Sequence, residues 1–382
     1  MKVSLLIFLT ALTVRVINLM FLDLNPDVYL VEDQRFYWEW SLKYAYLPWS
    51  EISANILSER MPGAFLYFEI LQWLTDKNLF LVLLIQSIID SFTCVIISNC
   101  AYMINYKYKL YTGLFAAFSP LLIILSSQIL SDTLFLFMFV CSLYFLLKFK
   151  QSDGEVNLIY LSGIMLGLAT FTRAATFPFI FLSLPIIYLL IKSNCNKDIL
   201  KTLPILFFFL VSAIIPISPR LYDNIITHNT YALTSQNGSH AAYWMVPGVL
   251  AISSNLDRDT SIKLINSKIE EKGGLTNNAY KDSSIMMNVS MEILSNQNIF
   301  VISYSWLRSS VLNIITPALL IDKRVRDLSH PSFAESGNIR DWANKLFFIS
   351  NHNSYKNIII FSLIISLFTS ISFLFGFFYF YK

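Results

Sequence analysis

The stretch from Leu79 to Ile104 reads LFLVLLIQSIIDSFTCVIISNCAYMI, and Asp90 is the charged residue in it. A helix rises 1.5 Å per residue, so ~20 such residues cross the ~30 Å of bilayer hydrocarbon. Comparable runs recur at 3–22, 110–126, 132–149, 157–173, 176–192, 202–219 and 358–381. Composition carries the same signal: of 382 residues, 55% are apolar and 14% are charged, with a mean hydropathy of +0.56. A soluble domain carries ~25% charged residues, and a disordered chain is poor in apolar ones. Both classes are excluded, and the chain reads as an all-α polytopic membrane protein.

One further run is ambiguous. Ile299 to Ile321 is apolar, but Arg308 sits near its middle among Ser303, Ser305, Ser309, Ser310 and Asn313. An arginine at a span centre costs about 2.5–3.5 kcal/mol, so a surface-lying or partly buried helix is expected there. The count is then about eight spans, or nine if this run also crosses. The first run, Val3 to Leu22, lacks a small-x-small cleavage site and reads as a retained span.

Lysines orient the bundle by the positive-inside rule. Lys2, then Lys107 and Lys109, then Lys148 and Lys150, then Lys192, Lys197 and Lys201 fall on alternate turns, which are expected to be cytoplasmic. The turn Ser126 to Ser131, SSQILS, carries no charge. Two long segments then lie outside, 23–78 and 220–357. The expected organisation is a transmembrane core at 1–219 that includes the outer loop 23–78, an extracytoplasmic or membrane-surface segment at 220–357, and a C-terminal span at 358–382.

The outer loop 23–78 is acidic and dense in aromatics, with Phe36, Tyr37, Trp38, Trp40, Tyr44, Tyr46 and Trp49. Such rings favour the headgroup layer, and two short helices along the membrane surface are expected. Within this loop, VEDQRFYWEW places Glu32 beside Asp33, with Tyr37 one helical turn on. A carboxylate at a membrane surface can take a proton from an incoming hydroxyl, although an exposed acidic loop or a helix cap explains the pair equally. Arg60 precedes Pro62-Gly63 and a helix pattern, where a guanidinium could meet a phosphate at a helix N-terminus or simply snorkel.

Gly163, Gly167 and Ala169 form a small face for close helix packing, and the span ends in Arg173, which needs a phosphate or carboxylate partner. Beyond Pro219 come Arg220, Tyr222, Asp223, Asn224 and His228, and then a polar turn at Asn237-Gly238. Asp132 reads as a helix cap. Asp90, mid-span near Gln86 and Cys94, is either a functional acid or a hydrogen-bonded structural one.

Several chemistries find no support. The net charge is +3 with no basic cluster, so no nucleic-acid partner is expected. Cys94, Cys100, Cys141 and Cys195 show no disulfide framework, and neither they nor His228, His240, His330 and His352 have metal-ligand spacing. No phosphate-binding glycine loop or serine elbow occurs. No cofactor is expected; a divalent metal stays possible, but no ligand cluster is seen.

In combination, four stretches resemble the membrane-embedded GT-C glycosyltransferases, in particular the bacterial branch related to protein O-mannosyltransferases and lipid A aminoarabinose transferases. Asp33-Gln34-Arg35-Phe36-Tyr37 is similar to the family's Asp-Glu-x-x-Tyr, with Gln34 where many relatives have a second acid. Arg60-Met61-Pro62-Gly63 is similar to Arg-x-Pro-Gly. Gly163 to Arg173 is similar to the Gly-Leu-x-x-x-x-Arg span ending. Pro219 to Asn224, followed by Thr234-Ser235-Gln236-Asn237-Gly238, is similar to the Pro-x-x-x-Arg-Asn-Tyr segment and its later turn.

The resemblance implies a GT-C-like bundle and an inverting transfer from a polyprenyl-phosphate-linked sugar. The acceptor would be an extracytoplasmic glycan, lipid or protein, with the site on the outer face of the plasma membrane. Asp33 would be the catalytic base, supported by Glu32 and Tyr37. Arg60, Arg173 and Arg220 would hold the donor phosphate, and Trp38, Tyr222, Asp223 and Asn224 would line the substrate. The alternative is a polytopic transporter or lipid-linked glycan flippase, motivated by Asp90.

Overall fold

The computed structural model describes residues 2–44, 46–48, 51–53, 57–195, 199–276, 278–316, 318–331, 339–349 and 352–381. Trp49 and Lys197 lie outside them. The described residues are helical with no strand, and contacts divide the chain into two compact units, Met1–Pro247 with Asp259–Glu292, and Gly248–Arg258 with Ile293–Lys382.

In the first unit, α1 (Lys2–Met20) leads into the outer loop, where α2 (Glu32–Tyr44) packs on α3 (Pro62–Leu74). The remaining helices are α4 (Leu79–Ile104), α5 (Lys109–Ala117), α6 (Pro120–Ser126), α7 (Asp132–Gln151), α8 (Asn157–Thr172), α9 (Phe177–Cys195), α10 (Ile199–Ile214), α11 (Ser218–His228), α12 (Arg258–Glu271) and α13 (Ala279–Ser295). Helix α4 packs between α1 and α7, and α8 lies against α7 and α10.

Among the described residues, six helices are long and apolar enough to cross a membrane, and seven if α5 and α6 together form one broken span. The expected run 110–126 is bent by 54° between α5 and α6, where Pro120 has no N–H to continue the ladder. The expected run 157–173 forms α8, which has 16 residues and is about 24 Å long. These two segments explain why the count falls below eight.

Two glycines set how close α8 comes to α10. A Cβ on Gly163 would lie 2.8 Å from the Phe209 carbonyl oxygen, and one on Gly167 would run into the Ala213 carbonyl and Pro216. Ala169, on the same helix, is fully buried. This is small-residue packing of the kind that drives helix association in lipid. Gly167→Val is expected to cost about 1–3 kcal/mol by overpacking. The readout is the temperature at which detergent-solubilised protein loses its monodisperse elution. An unchanged temperature would mean that α8 and α10 are not held this close.

The aromatics of the outer loop turn inward. Tyr37 and Trp38 are buried with Phe65, Phe68 and Leu71, and the Tyr37 and Phe65 rings are 5.1 Å apart. The loop therefore shares a core with Leu19 of α1, Leu79, Val82 and Leu83 of α4, and Ile129, instead of presenting every ring to headgroups. Tyr46, by contrast, is exposed.

In the second unit, α14 (Ile299–Ile315) packs against α15 (Asn353–Tyr381). Val325, Leu346, Tyr355 and Ile359 form a core beside them. Helix α14 has 17 residues and is not among the helices fit to cross a membrane; Arg308 is exposed on it.

Candidate active site

A cavity of about 470 Å³ opens in the first unit, and Asp33, Tyr37, Arg60 and Arg173 all line it. Each arrives from a different element. Asp33 and Tyr37 are one turn apart on α2, so they share a face. Arg60 directly precedes α3. A Cβ on Gly63 would lie 2.7 Å from the Phe171 carbonyl, so the bare glycine lets α3 start against the last turn of α8. That turn ends at Arg173, whose extended backbone (φ −148°, ψ 115°) closes the helix. The Arg-x-Pro-Gly stretch and the glycine-rich span thus meet through one backbone contact, and it brings their arginines to the same space.

Each arginine faces a carboxylate. Arg60 Nη2 donates to Asp33 Oδ1 at 3.3 Å, and Arg173 Nη1 donates to Asp132. Asp132, read from sequence as a cap, stands at the first position of α7, and no side chain caps that helix. Its carboxylate goes to Arg173 because α7 and α8 lie side by side, so the end of α8 sits near the start of α7. Helix α3 also begins without a side-chain cap, and Met61 and Ser131, which precede α3 and α7, line the cavity. Two helix N-termini without side-chain caps therefore open beside two guanidinium groups, an arrangement that favours a bound anion.

Tyr37 is held above its ordinary pKa, mainly by burial and partly offset by Arg60 and by its hydrogen bond to Ser131. It stays protonated at neutral pH and can donate a hydrogen bond. Among the described residues, no group of three His, Cys, Asp or Glu side chains is placed to hold a metal ion.

Residues 59–222 match the family model of the dolichyl-phosphate-mannose-protein mannosyltransferases. The stretch so matched is similar to a GT-C glycosyltransferase domain. The likeness supports a GT-C glycosyltransferase with a lipid-linked sugar donor, and the apolar helices are those of a multi-pass membrane protein. No curated protein matches the chain.

The fold does not bring all the expected residues to the cavity. Arg220 is 1% exposed and sits in a separate buried node. Its Nη1 donates to Asp223 Oδ2 at 2.8 Å, and its Nη2 donates to Tyr280 Oη at 2.6 Å and to the Leu57 carbonyl. Ser53 Oγ donates to Asp223 Oδ2 at 2.5 Å, and Asn224 Nδ2 to the Ala232 carbonyl at 2.6 Å. Arg220, Asp223 and Asn224 therefore clamp the outer loop and α13 onto α11. An arginine held by Asp223, Tyr280 and the Leu57 carbonyl is fixed in place, with only its buried Nε left without a partner, which explains why it does not face the cavity.

Tyr222 is 69% exposed on α11, away from the cavity walls. Trp38 is buried, and its carbonyl accepts from Gln72 Nε2 at 3.2 Å. Glu32 starts α2 with a left-handed φ of 49° and is not one of the cavity walls. Gln34, at the family's second acid, is buried, and its Oε1 accepts from the Ile129 N–H at 3.2 Å.

Other walls were not read from sequence as site residues: Glu59, Ser131, Asp132, Thr234, Gln236 and His240. The polar turn reaches the outer loop because Ser235 N–H donates to the Ser58 carbonyl at 2.7 Å. Gly238 N–H also donates to Ser283 Oγ at 3.0 Å. With its amide oriented by its neighbours, Gln236 donates to the Glu59 carbonyl and accepts from Arg60. The uncharged turn Ser126–Ser131 is a constructed wall. Gln86 Nε2 donates to the carbonyls of Ser126 at 3.0 Å and Gln128 at 2.7 Å, and Tyr29 Oη donates to Ser127 O.

Proposed function

We propose that the protein is an inverting glycosyltransferase that moves a sugar from a polyprenyl-phosphate donor to an acceptor on the outer face of the plasma membrane. The observation that carries this reading is the single cavity in which an open carboxylate, Asp33, stands beside two arginines and two uncapped helix N-termini.

Asp33 takes the proton of the acceptor hydroxyl. The oxygen attacks the anomeric carbon from the face opposite the phosphate, the carbon–oxygen bond to phosphate breaks, and the polyprenyl phosphate leaves with the bonding pair. Arg60, Arg173 and the N–H groups at the starts of α3 and α7 stabilise the charge that grows on the leaving phosphate. Asp132 holds Arg173 in position until the donor phosphate arrives. Tyr37, protonated, offers a hydrogen bond to the sugar or to the phosphate. The positive-inside reading of the lysines supports the outer location.

The test is transfer by the purified chain in nanodiscs, with a polyprenyl-phosphate sugar and, separately, nucleotide sugars. The expected result is a covalent product of inverted anomeric configuration from the lipid donor alone. Arg173→Ala is expected to lower its rate by about 10²–10³-fold, the usual loss on removing one charge-stabilising donor. Transfer from a nucleotide sugar, or sugar movement without a new covalent bond, would sink the reading. Asp90, which motivated a transport alternative, is closed off by an ion pair with Arg15.

A further inference from the structure

A second cavity, of about 220 Å³, opens in the first unit between the C-terminal ends of α2 and α3. Ser41 and Tyr46 line one side, Glu69, Gln72 and Trp73 come from α3, and Asp76 from the turn before α4. Trp73 is 80% exposed and Tyr46 87%, while Gln72 is 2% exposed. Gln72 Nε2 is used on the Trp38 carbonyl, and its buried Oε1 has no partner. Burial raises the Glu69 carboxyl above its ordinary range.

This lining has a definite chemistry. Broad aromatic faces stack on the C–H face of a sugar ring. Carboxylates and an amide oxygen accept from sugar hydroxyls. A tryptophan that merely anchors the headgroup layer needs apolar surroundings and one wet edge. It does not need a hollow with a buried amide and two carboxylates. The volume is below the ~300–1,000 Å³ of pockets for drug-sized ligands, which suits a single ring.

The two cavities are linked by one helix face. Asp33, Tyr37 and Ser41 follow one another at four-residue intervals on α2, and Ser41 Oγ donates to the Tyr37 carbonyl at 2.6 Å. Along the axis, Ser41 is about 12 Å from Asp33, a separation that an extended oligosaccharide can span.

We propose that this second cavity is a subsite for a sugar residue of the acceptor, so that the acceptor is a glycan held on Trp73 while its attacking hydroxyl reaches Asp33. This rests on the glycosyltransferase reading above. The deciding experiment reads binding directly: saturation-transfer NMR on the full chain in nanodiscs, with mannobiose, chitobiose and lactose as probes, and phosphocholine and phosphoethanolamine as headgroup probes.

At least one disaccharide is expected to receive saturation on its ring protons. Its signal should fall about fivefold or more (roughly 1 kcal/mol) in Trp73→Ala, fall also in Glu69→Gln, and survive in Trp73→Phe and Asp33→Asn. In the transfer assay, Trp73→Ala should raise the acceptor KM and leave kcat and the donor KM near wild type. Absence of a disaccharide signal, a signal that survives Trp73→Ala, or saturation of the headgroup probes in place of the sugars overturns the subsite. Because binding is read without turnover, sugar binding with no transfer would fault the enzymatic reading and not the subsite.

Discussion

Asp33→Asn is expected to reduce sugar transfer by about 10²–10⁴-fold, the range for loss of a positioned base, while the protein still folds. The two halves of this expectation rest on different observations. The Asp33 side chain is 61% exposed and its partner Arg60 is 22% exposed. An exposed ion pair of this kind is worth about 0–1 kcal/mol, so losing it cannot unfold the bundle. Asparagine has nearly the shape of aspartate and still accepts from Arg60, but its amide cannot take a proton from an acceptor hydroxyl.

Comparison with Asp132→Asn sharpens the result, because both carboxylates line the cavity. Asp132 is held against Arg173, and its side chain is 29% exposed, so it is less open to an incoming acceptor. Its replacement should loosen Arg173 and lower transfer by a smaller factor. The measurement is the initial rate with the lipid donor in excess, paired with the elution temperature of each variant. Equal rates for Asp33→Asn and wild type would remove Asp33 from the mechanism. A larger loss in Asp132→Asn would move the base to Asp132.

Much of this was legible in the sequence, and the parts that were not share a cause. Hydropathy marked where α1, α4, α7, α9 and α10 run, since each depends on a local property, the length of an uncharged run. The pairing of Asp33 with Tyr37 was legible for the same reason, as both sit on one turn of one helix. The contact between Gly63 and Phe171 was not, because it joins residues far apart in the chain. It is nevertheless what makes two short motifs into one site.

Arg220 illustrates the opposite error. An arginine after Pro219 in a polar segment looks available to a ligand, but Asp223 stands three residues on, where one helical turn brings the two together. That spacing was visible and points to an internal pair. Asp132 was read as a cap because capping is local, whereas its partner Arg173 comes from the end of the neighbouring helix. Arg15 passed unremarked inside the first apolar run. A lone arginine in one span and a lone aspartate in another are a pair that charge alone could have suggested.

That pair gives the largest expected effect on stability: Arg15→Met should destabilise the fold by about 3–5 kcal/mol, the usual result of removing one partner of a buried ion pair. Arg15 is fully buried and Asp90 is 1% exposed. Arg15 Nε donates to Asp90 Oδ2 at 2.5 Å, and Nη2 points to Cys94 Sγ at 3.3 Å. The guanidinium has a second task. Its Nη1 donates to the carbonyls of Ala11 at 3.0 Å and Ala117 at 3.1 Å. Ala117 is the last residue of α5, where the broken span bends, and its carbonyl has lost the helical partner that a continuous helix would supply. A freed backbone group inside a membrane must find a donor nearby, and Arg15 is that donor. Methionine keeps the volume of the side chain and supplies neither charge nor N–H. The double variant Arg15→Met with Asp90→Leu removes the stranded carboxylate and should recover most of the loss. It should not recover all of it, because the Ala117 carbonyl stays unsatisfied at a cost of about 1–3 kcal/mol. Denaturant unfolding of the three proteins in detergent measures the differences. A double variant no more stable than Arg15→Met would show that the pairing with Asp90 contributes nothing. A double variant equal to wild type would show that the bend at Ala117 is satisfied without Arg15.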